Sequence, residues 1–175
     1  LDFINNNKLI SFFPDIAENL AVYLIGKGLN GKNCGKNSSI LYTFSQYGNI
    51  SAVKILVENG YDINKKVAQD CTALMGALSK DNFTLAKYLI SEGADVNAKM
   101  TNGHDAIYFA IKGNDNSFTR ELLEMVDIKH SYPNAVDIGG IRIPANFNLL
   151  HLCCEVKNLD LITVLLGKGM DMYDK

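Results

Sequence analysis

A chain of 175 residues, 47% hydrophobic and 21% charged, is long enough for one domain or one short repeat array and too apolar for a disordered segment. Its net charge of −2 leaves no basic excess, which argues against nucleic acid or an anionic membrane surface as a partner. No apolar run approaches the roughly 18 residues of a membrane-spanning helix. Leu1-Asp2-Phe3-Ile4-Asn5-Asn6-Asn7 lacks the basic-then-apolar order of a signal peptide, and without an initiator Met the sequence reads as a trimmed fragment.

From the N-terminus, a first apolar helical pattern closes on Tyr23-Leu24-Ile25-Gly26-Lys27-Gly28. The same close returns in Ile55-Leu56-Val57-Glu58-Asn59-Gly60-Tyr61-Asp62-Ile63-Asn64, 32 residues on at the glycine. It returns again in Tyr88-Leu89-Ile90-Ser91-Glu92-Gly93-Ala94-Asp95-Val96-Asn97, a further 33 on. Leu41, Leu74 and Ile107 keep the same interval of 33, so two independent landmarks agree on one period. The third unit shows its construction. Ala73-Leu74-Met75-Gly76-Ala77-Leu78 is a short apolar helix, and Asp81-Asn82 breaks it with cap-favouring residues. Phe83 to Ile90 then carries apolar residues three and four apart, and Gly93 stands where the chain must leave that helix. Ile107 to Leu150 is 43 residues, so about ten extra residues precede a last unit closing on Val164-Leu165-Leu166-Gly167-Lys168-Gly169-Met170-Asp171. The reading is one domain over 1–175, with repeats near 1–33, 34–66, 67–99, 100–142 and 143–175.

Glu92-Gly93-Ala94-Asp95-Val96-Asn97-Ala98-Lys99 resembles the end of an ankyrin repeat nearly residue for residue, and the period of 33 is also that family's. The resemblance implies an all-α solenoid of about five helix-turn-helix repeats. The family's Thr-Pro-Leu-His helix start appears as Ser39-Ile40-Leu41-Tyr42, Thr72-Ala73-Leu74-Met75, Asp105-Ala106-Ile107-Tyr108 and Asn148-Leu149-Leu150-His151. The Pro is never present and the His survives once, but the first position keeps a short polar residue able to accept from helix N-terminal amides. Leu24, Leu56, Leu89, Leu122 and Leu165 occupy one equivalent position and should form a buried ladder along the second helices.

The resemblance also implies partner-protein binding through turn tips and first-helix faces. Carried over by position, the candidates are Gly35, Lys36, Ser38, Gln46 and Tyr47 in the second unit, and Ala68, Gln69, Cys71, Ser79 and Lys80 in the third. In the fourth they are Thr101, Asn102, His104, Lys112 and Gly113, with Tyr132 and Arg142 from the insertion. Tyr47 is the most attractive anchor, because aromatic residues are enriched among interface hot spots. In the insertion, 128–146, Pro133-Asn134 signals a turn. Gly139-Gly140 between Val136/Ile138 and Ile141/Ile143 predicts a tight β-hairpin projecting from the turn edge.

Catalytic chemistry finds no footing. Gly26-Lys27-Gly28-Leu29-Asn30-Gly31 fits a dinucleotide fingerprint, but it follows a helix instead of a strand, and Gly28 aligns with helix-ending Gly60. His104, His130 and His151 lie apart from any nucleophile with an acidic third partner. His151 stands near Cys153 and Cys154, but at a structural position of the repeat. Cys34, Cys71, Cys153 and Cys154 form no Cys-x-x-Cys and assemble no metal site. No catalytic residue, cofactor or metal is therefore assigned. Reduced thiols favour the cytoplasm, either that of the source cell or that of a host into which the protein is delivered. Leu159, Leu161, Ile162, Val164, Leu165 and Leu166 make the last unit unusually apolar for a solenoid end. Further chain or a second copy should cover it. The rival functions are an accessory domain of a larger enzyme or bacterial effector, and a self-associating spacer.

Overall fold

A computed structural model describes residues 14–28, 40–113, 115–129, 131–132, 136–138, 141–143 and 146–173. The chain divides into two compact units, Leu1–Asp95 and Val96–Lys175. The first holds α1 (Pro14–Gly26), α2 (Ile40–Gln46), α3 (Ile50–Glu58), a short 3-10 turn at Ala68–Asp70, α4 (Ala73–Leu78) and α5 (Phe83–Ser91). The second holds α6 (Ala106–Lys112), α7 (Asn116–Leu123), β1 (Val136–Ile138), β2 (Ile141–Ile143), α8 (Leu149–Glu155) and α9 (Leu159–Gly167). Helices pair as sequence neighbours, α2 with α3 and α4 with α5 in the first unit, α6 with α7 and α8 with α9 in the second. Pairs then stack like on like: α1 lies on α3 and α2 on α4, while α6 lies on α8 and α7 on α9.

Short polar residues start these helices. Thr72 accepts from the Met75 N–H at 3.4 Å, Asp105 from that of Tyr108 at 3.1 Å, and Asn148 from those of Leu150 and His151 at 3.1 and 3.3 Å. The outer helices α5, α7 and α9 are capped alike, by Asn82 on the Leu85 N–H, Asp115 on that of Phe118 and Asn158 on that of Leu161. Each cap satisfies donors that a helix N-terminus leaves open, worth about 1 kcal/mol apiece. The Thr-Pro-Leu-His start therefore works here without its proline.

The outer helices end in one recurring arrangement. Gly60, Gly93 and Gly169 take left-handed φ of 77°, 92° and 79°, which glycine adopts without a Cβ clash. Each following amide turns back five residues, from Tyr61 to the Leu56 carbonyl, from Ala94 to Leu89 and from Met170 to Leu165, at 2.9–3.1 Å. Tyr61, Ala94 and Met170 are buried in consequence, pinning the chain's exit against the same leucines that fill the core. Gly48 is needed on other grounds: besides its φ of 72°, an added Cβ would collide with the Asn82 side-chain amide.

Leu24, Leu56, Leu89, Leu122 and Leu165 are all buried, as the period implies. Around them lie Phe44, Leu74, Leu78 and Leu85 in the first unit, and Ile107, Ile111, Phe118 and Phe147 in the second. Asparagines in the closing turns tie one repeat to the next. The Asn64 side chain donates to the Gly93 carbonyl at 3.0 Å and accepts from the Asp95 N–H at 2.7 Å, and Asn97 accepts from the Asp127 N–H at 3.3 Å.

Within the insertion, β1 and β2 run antiparallel with Val136 opposite Ile143, Asp137 opposite Arg142 and Ile138 opposite Ile141. Gly139-Gly140 and Pro133-Asn134, expected as turns, lie outside the described residues.

Leu89 is fully buried, so Leu89→Ala removes apolar contact and leaves a cavity. Urea unfolding followed by circular dichroism should show a loss of about 2–5 kcal/mol, against less than about 0.5 kcal/mol for exposed Lys87→Ala.

Candidate interaction surface

In the first unit α2 and α4 stack in parallel register, so their C-terminal ends carry the candidates Gln46-Tyr47 and Ser79-Lys80. Ser79 and Lys80 are exposed, while Gln46 and Tyr47 are half-buried. Ser79 Oγ turns back to donate to the Gly76 carbonyl at 2.8 Å, which leaves Tyr47 and Lys80 as the larger outward groups of the set. At the turn before α4, Ala68 and Gln69 are exposed, and Gln69 takes a left-handed φ of 61° that holds it at the tip. Gly35, Lys36 and Ser38 lie outside the described residues.

Cys71 is buried, so it is withdrawn from the set of surface contacts. Its thiol bonds the Tyr42 hydroxyl, to which Gln46 Nε2 also donates at 3.4 Å. Burial is the main reason both Tyr42 and Cys71 titrate above their ordinary values. The Tyr42 ring rests against Gly76, where a Cβ would meet it at 3.1 Å. This Gln46–Tyr42–Cys71 chain was not singled out from sequence. Its one signal was Tyr42 standing where the repeat usually has His.

In the second unit, Thr101 and Lys112 are exposed, and Asn102, His104 and Gly113 are half-buried. Thr101 and Asn102 occupy a turn closed by the Met100 N–H on the His104 carbonyl at 2.8 Å. The Lys112 ammonium lies 5.6 Å from the centre of the Tyr108 ring, a cation–π contact. Arg142 stands on β2 opposite Asp137.

Tyr132 requires a correction. It is fully buried, its ring stacked on Phe147 and its hydroxyl donating to Asp105 Oδ1 at 2.9 Å. A side chain so enclosed cannot meet a partner. Burial, with the Asp105 carboxylate beside it, pushes its phenol well above the ordinary range, so it stays protonated and donating. Its Asp105 partner lies 27 residues earlier, and no local pattern reports such a pair.

The remaining chemical candidates resolve as structure. Gly26 ends α1, and the Lys27 and Gly28 amides bond back to the Tyr23 and Ile25 carbonyls at 3.0 and 2.8 Å, so those donors are committed to closing the helix. His151 forms a capping box with Asn148, receiving the Asn148 N–H at Nδ1. Among the described residues no group of three His, Cys, Asp or Glu could hold a metal ion, and no helix is long and apolar enough to cross a membrane.

Adjacent cysteines differ sharply in environment. Cys153 is fully buried, and burial pushes its thiol up to about 12, whereas Cys154 is exposed. Since the thiolate is the nucleophile, iodoacetamide at pH 8 should alkylate Cys154 readily and leave Cys153 unmodified until the fold is denatured. Fragmentation mass spectrometry of the 153–154 peptide, before and after urea, distinguishes the two sites.

These features have a counterpart among known proteins. The family model described as ankyrin repeats, in three copies, matches residues 14–100 and again 84–175. No curated protein sequence matches the chain. The paired helices, capped starts and glycine-closed ends fall within those two spans, and the chain belongs to the ankyrin-repeat family.

Proposed function

We propose that the chain is a protein-binding module of five ankyrin repeats near 1–33, 34–66, 67–99, 100–142 and 143–175, forming a single domain. The reading has it grip a partner through turn tips and inner-helix ends. Ankyrin repeats are in general protein-interaction modules. One observation carries the reading further. Tyr47, Gln69 and Lys80 sit on turns and helix ends, and among the described residues the core is made of other side chains. Residues held in place without serving stability are free to serve recognition. The contact set is then Lys36, Ser38, Gln46, Tyr47, Gln69, Ser79 and Lys80, together with Thr101, Asn102, His104, Lys112 and Arg142. No catalytic role is assigned. Buried free thiols at Cys71 and Cys153 support an intracellular, reducing setting, with the cytoplasm the simplest.

Affinity capture with the wild-type chain provides the test. Tyr47→Ala combined with Lys80→Ala should weaken recovery of the captured protein about tenfold or more, a loss typical of hot-spot residues. Exposed outer-helix changes Lys54→Ala and Lys87→Ala should leave it intact. Equal recovery from all variants would refute this choice of surface.

A second reading has its own support. On the last helix Leu159 and Leu166 are 74% and 53% exposed, and in the turn that follows it Met172 and Tyr173 are 47% and 89% exposed. Such a surface favours self-association. Sedimentation velocity from micromolar to submillimolar concentration should show mass rising with concentration, abolished by Leu159→Lys with Leu166→Lys. A strict monomer throughout would remove this reading.

A further inference from the structure

One cluster in the second unit exceeds what a repeat needs in order to fold. Asp105 Oδ1 accepts twice, from the Tyr108 N–H at 3.1 Å, which starts α6, and from the Tyr132 hydroxyl at 2.9 Å. Tyr132 and Phe147 form an antiparallel bridge: the Tyr132 N–H donates to the Phe147 carbonyl at 2.7 Å, and the Asn146 N–H donates to the Tyr132 carbonyl at 2.8 Å. One carboxylate oxygen therefore joins the start of a repeat to both ends of the segment that carries β1 and β2.

His104 lies directly on this joint. Its ring stacks face to face on Tyr108, with centroids 3.7 Å apart and planes 11° apart, and Tyr132 and Phe109 meet it edge-on at 6.2 and 6.3 Å. The Asn102 side-chain amide lies 3.2 Å from Nδ1; an amide nitrogen can only donate, so Nδ1 accepts and the ring proton sits on Nε2. Nε2 is buried without a hydrogen-bond partner. A neutral ring tolerates that position. A cationic ring does not, because a buried ionised donor without an acceptor carries a large desolvation cost.

We propose that this joint is a proton-sensitive latch, in which a proton taken up by His104 draws the Asp105 carboxylate away from the Tyr132 hydroxyl and loosens the Tyr132–Phe147 bridge. The charged and titratable groups around it define the balance. Asp105 favours the cation, while Lys112, whose ammonium lies over the far partner of the stack, opposes it. Tyr108 and Tyr132 stay neutral, their phenols raised by burial, and Cys153 stands by Tyr132 as a buried thiol, also raised. Burial outweighs Asp105 and holds His104 below its ordinary value. Between that lowered value and the ordinary one near 6.5, the closed joint binds fewer protons than the open one. The latch is therefore at full strength above the ordinary histidine range and weakens as pH falls through it.

Hydrogen exchange at the Tyr132 and Asn146 amides, corrected for intrinsic rates, measures the latch from pH 7.5 to 5.0. In the wild-type chain their protection should fall roughly threefold or more over that range, with the amides of α7 unaffected. His104→Phe keeps a ring on Tyr108 and takes up no proton, so its protection should stay flat. Tyr132→Phe keeps the ring stack without the hydroxyl, and should exchange faster already at pH 7.5 with a smaller pH response. NMR titration of His104 in the wild-type chain, resolved from His130 and His151, needs no variant to fold. Its midpoint should mark the low-pH end of the interval over which Tyr132 protection is lost. Flat wild-type protection, an unchanged pH response in His104→Phe, or a His104 titration above the interval of lost protection would each overturn the proposal.

Discussion

The constraint on which the fold depends is the buried leucine in each outer helix, a residue that works twice. Its side chain fills the space between stacked helices. Where the helix closes on glycine, its carbonyl also takes the amide of the residue after that glycine. Leu56, Leu89 and Leu165 do both, and the apolar side chains of Tyr61, Ala94 and Met170 are folded inward as a result. Apolar burial alone would place a helix without fixing where it stops. The backbone bond fixes the stop, and the next repeat begins at a defined point in space. Short helices of six to nine residues, which would be marginal in isolation, become stable elements through this coupling.

The polar groups follow a similar division of labour. Caps at Thr72, Asn82, Asp105, Asp115, Asn148 and Asn158 satisfy helix starts, and asparagines in the closing turns, Asn64 and Asn97, bridge to the next closing turn. Asn158 does more, since its amide also donates to Asn116 at 2.6 Å. Asn116 in turn donates to Asp160, which pairs with Arg120 at 2.8 Å. That pair is about half exposed and contributes little by itself. Within the network it aligns α7 with α9.

What could be read from the sequence was whatever is local or periodic. Helix ends at Gly60 and Gly93, the cap residues and the leucine ladder all show in windows of a few residues or at an interval of 33. The strand pair was legible too, from alternating β-branched residues around two glycines. Cys71 does not reach the surface because the family pattern marks positions without reporting what lies across from them, and Tyr132 does not because an insertion that breaks the period gives no sign of which residues turn inward. Cys71 is enclosed through Tyr42 in the previous repeat, and Tyr132 through Asp105, both outside any local window. The Tyr42 contact on Gly76 is of the same kind, a fit between two repeats that neither sequence motif records.

The Tyr132–Phe147 bridge has a consequence for how such a protein can change. Leu122 and Leu165 stand 43 residues apart instead of 33, and still α6 meets α8 and α7 meets α9 in the ordinary way. The bridge absorbs the difference by bringing the chain back beside its point of departure, so the surplus never shifts the phase of the helices. Closing a longer excursion costs only slowly more with length. The position thus works as a graft site, where new chain can be added or exchanged between two adjoining residues while the helices on either side keep their alignment.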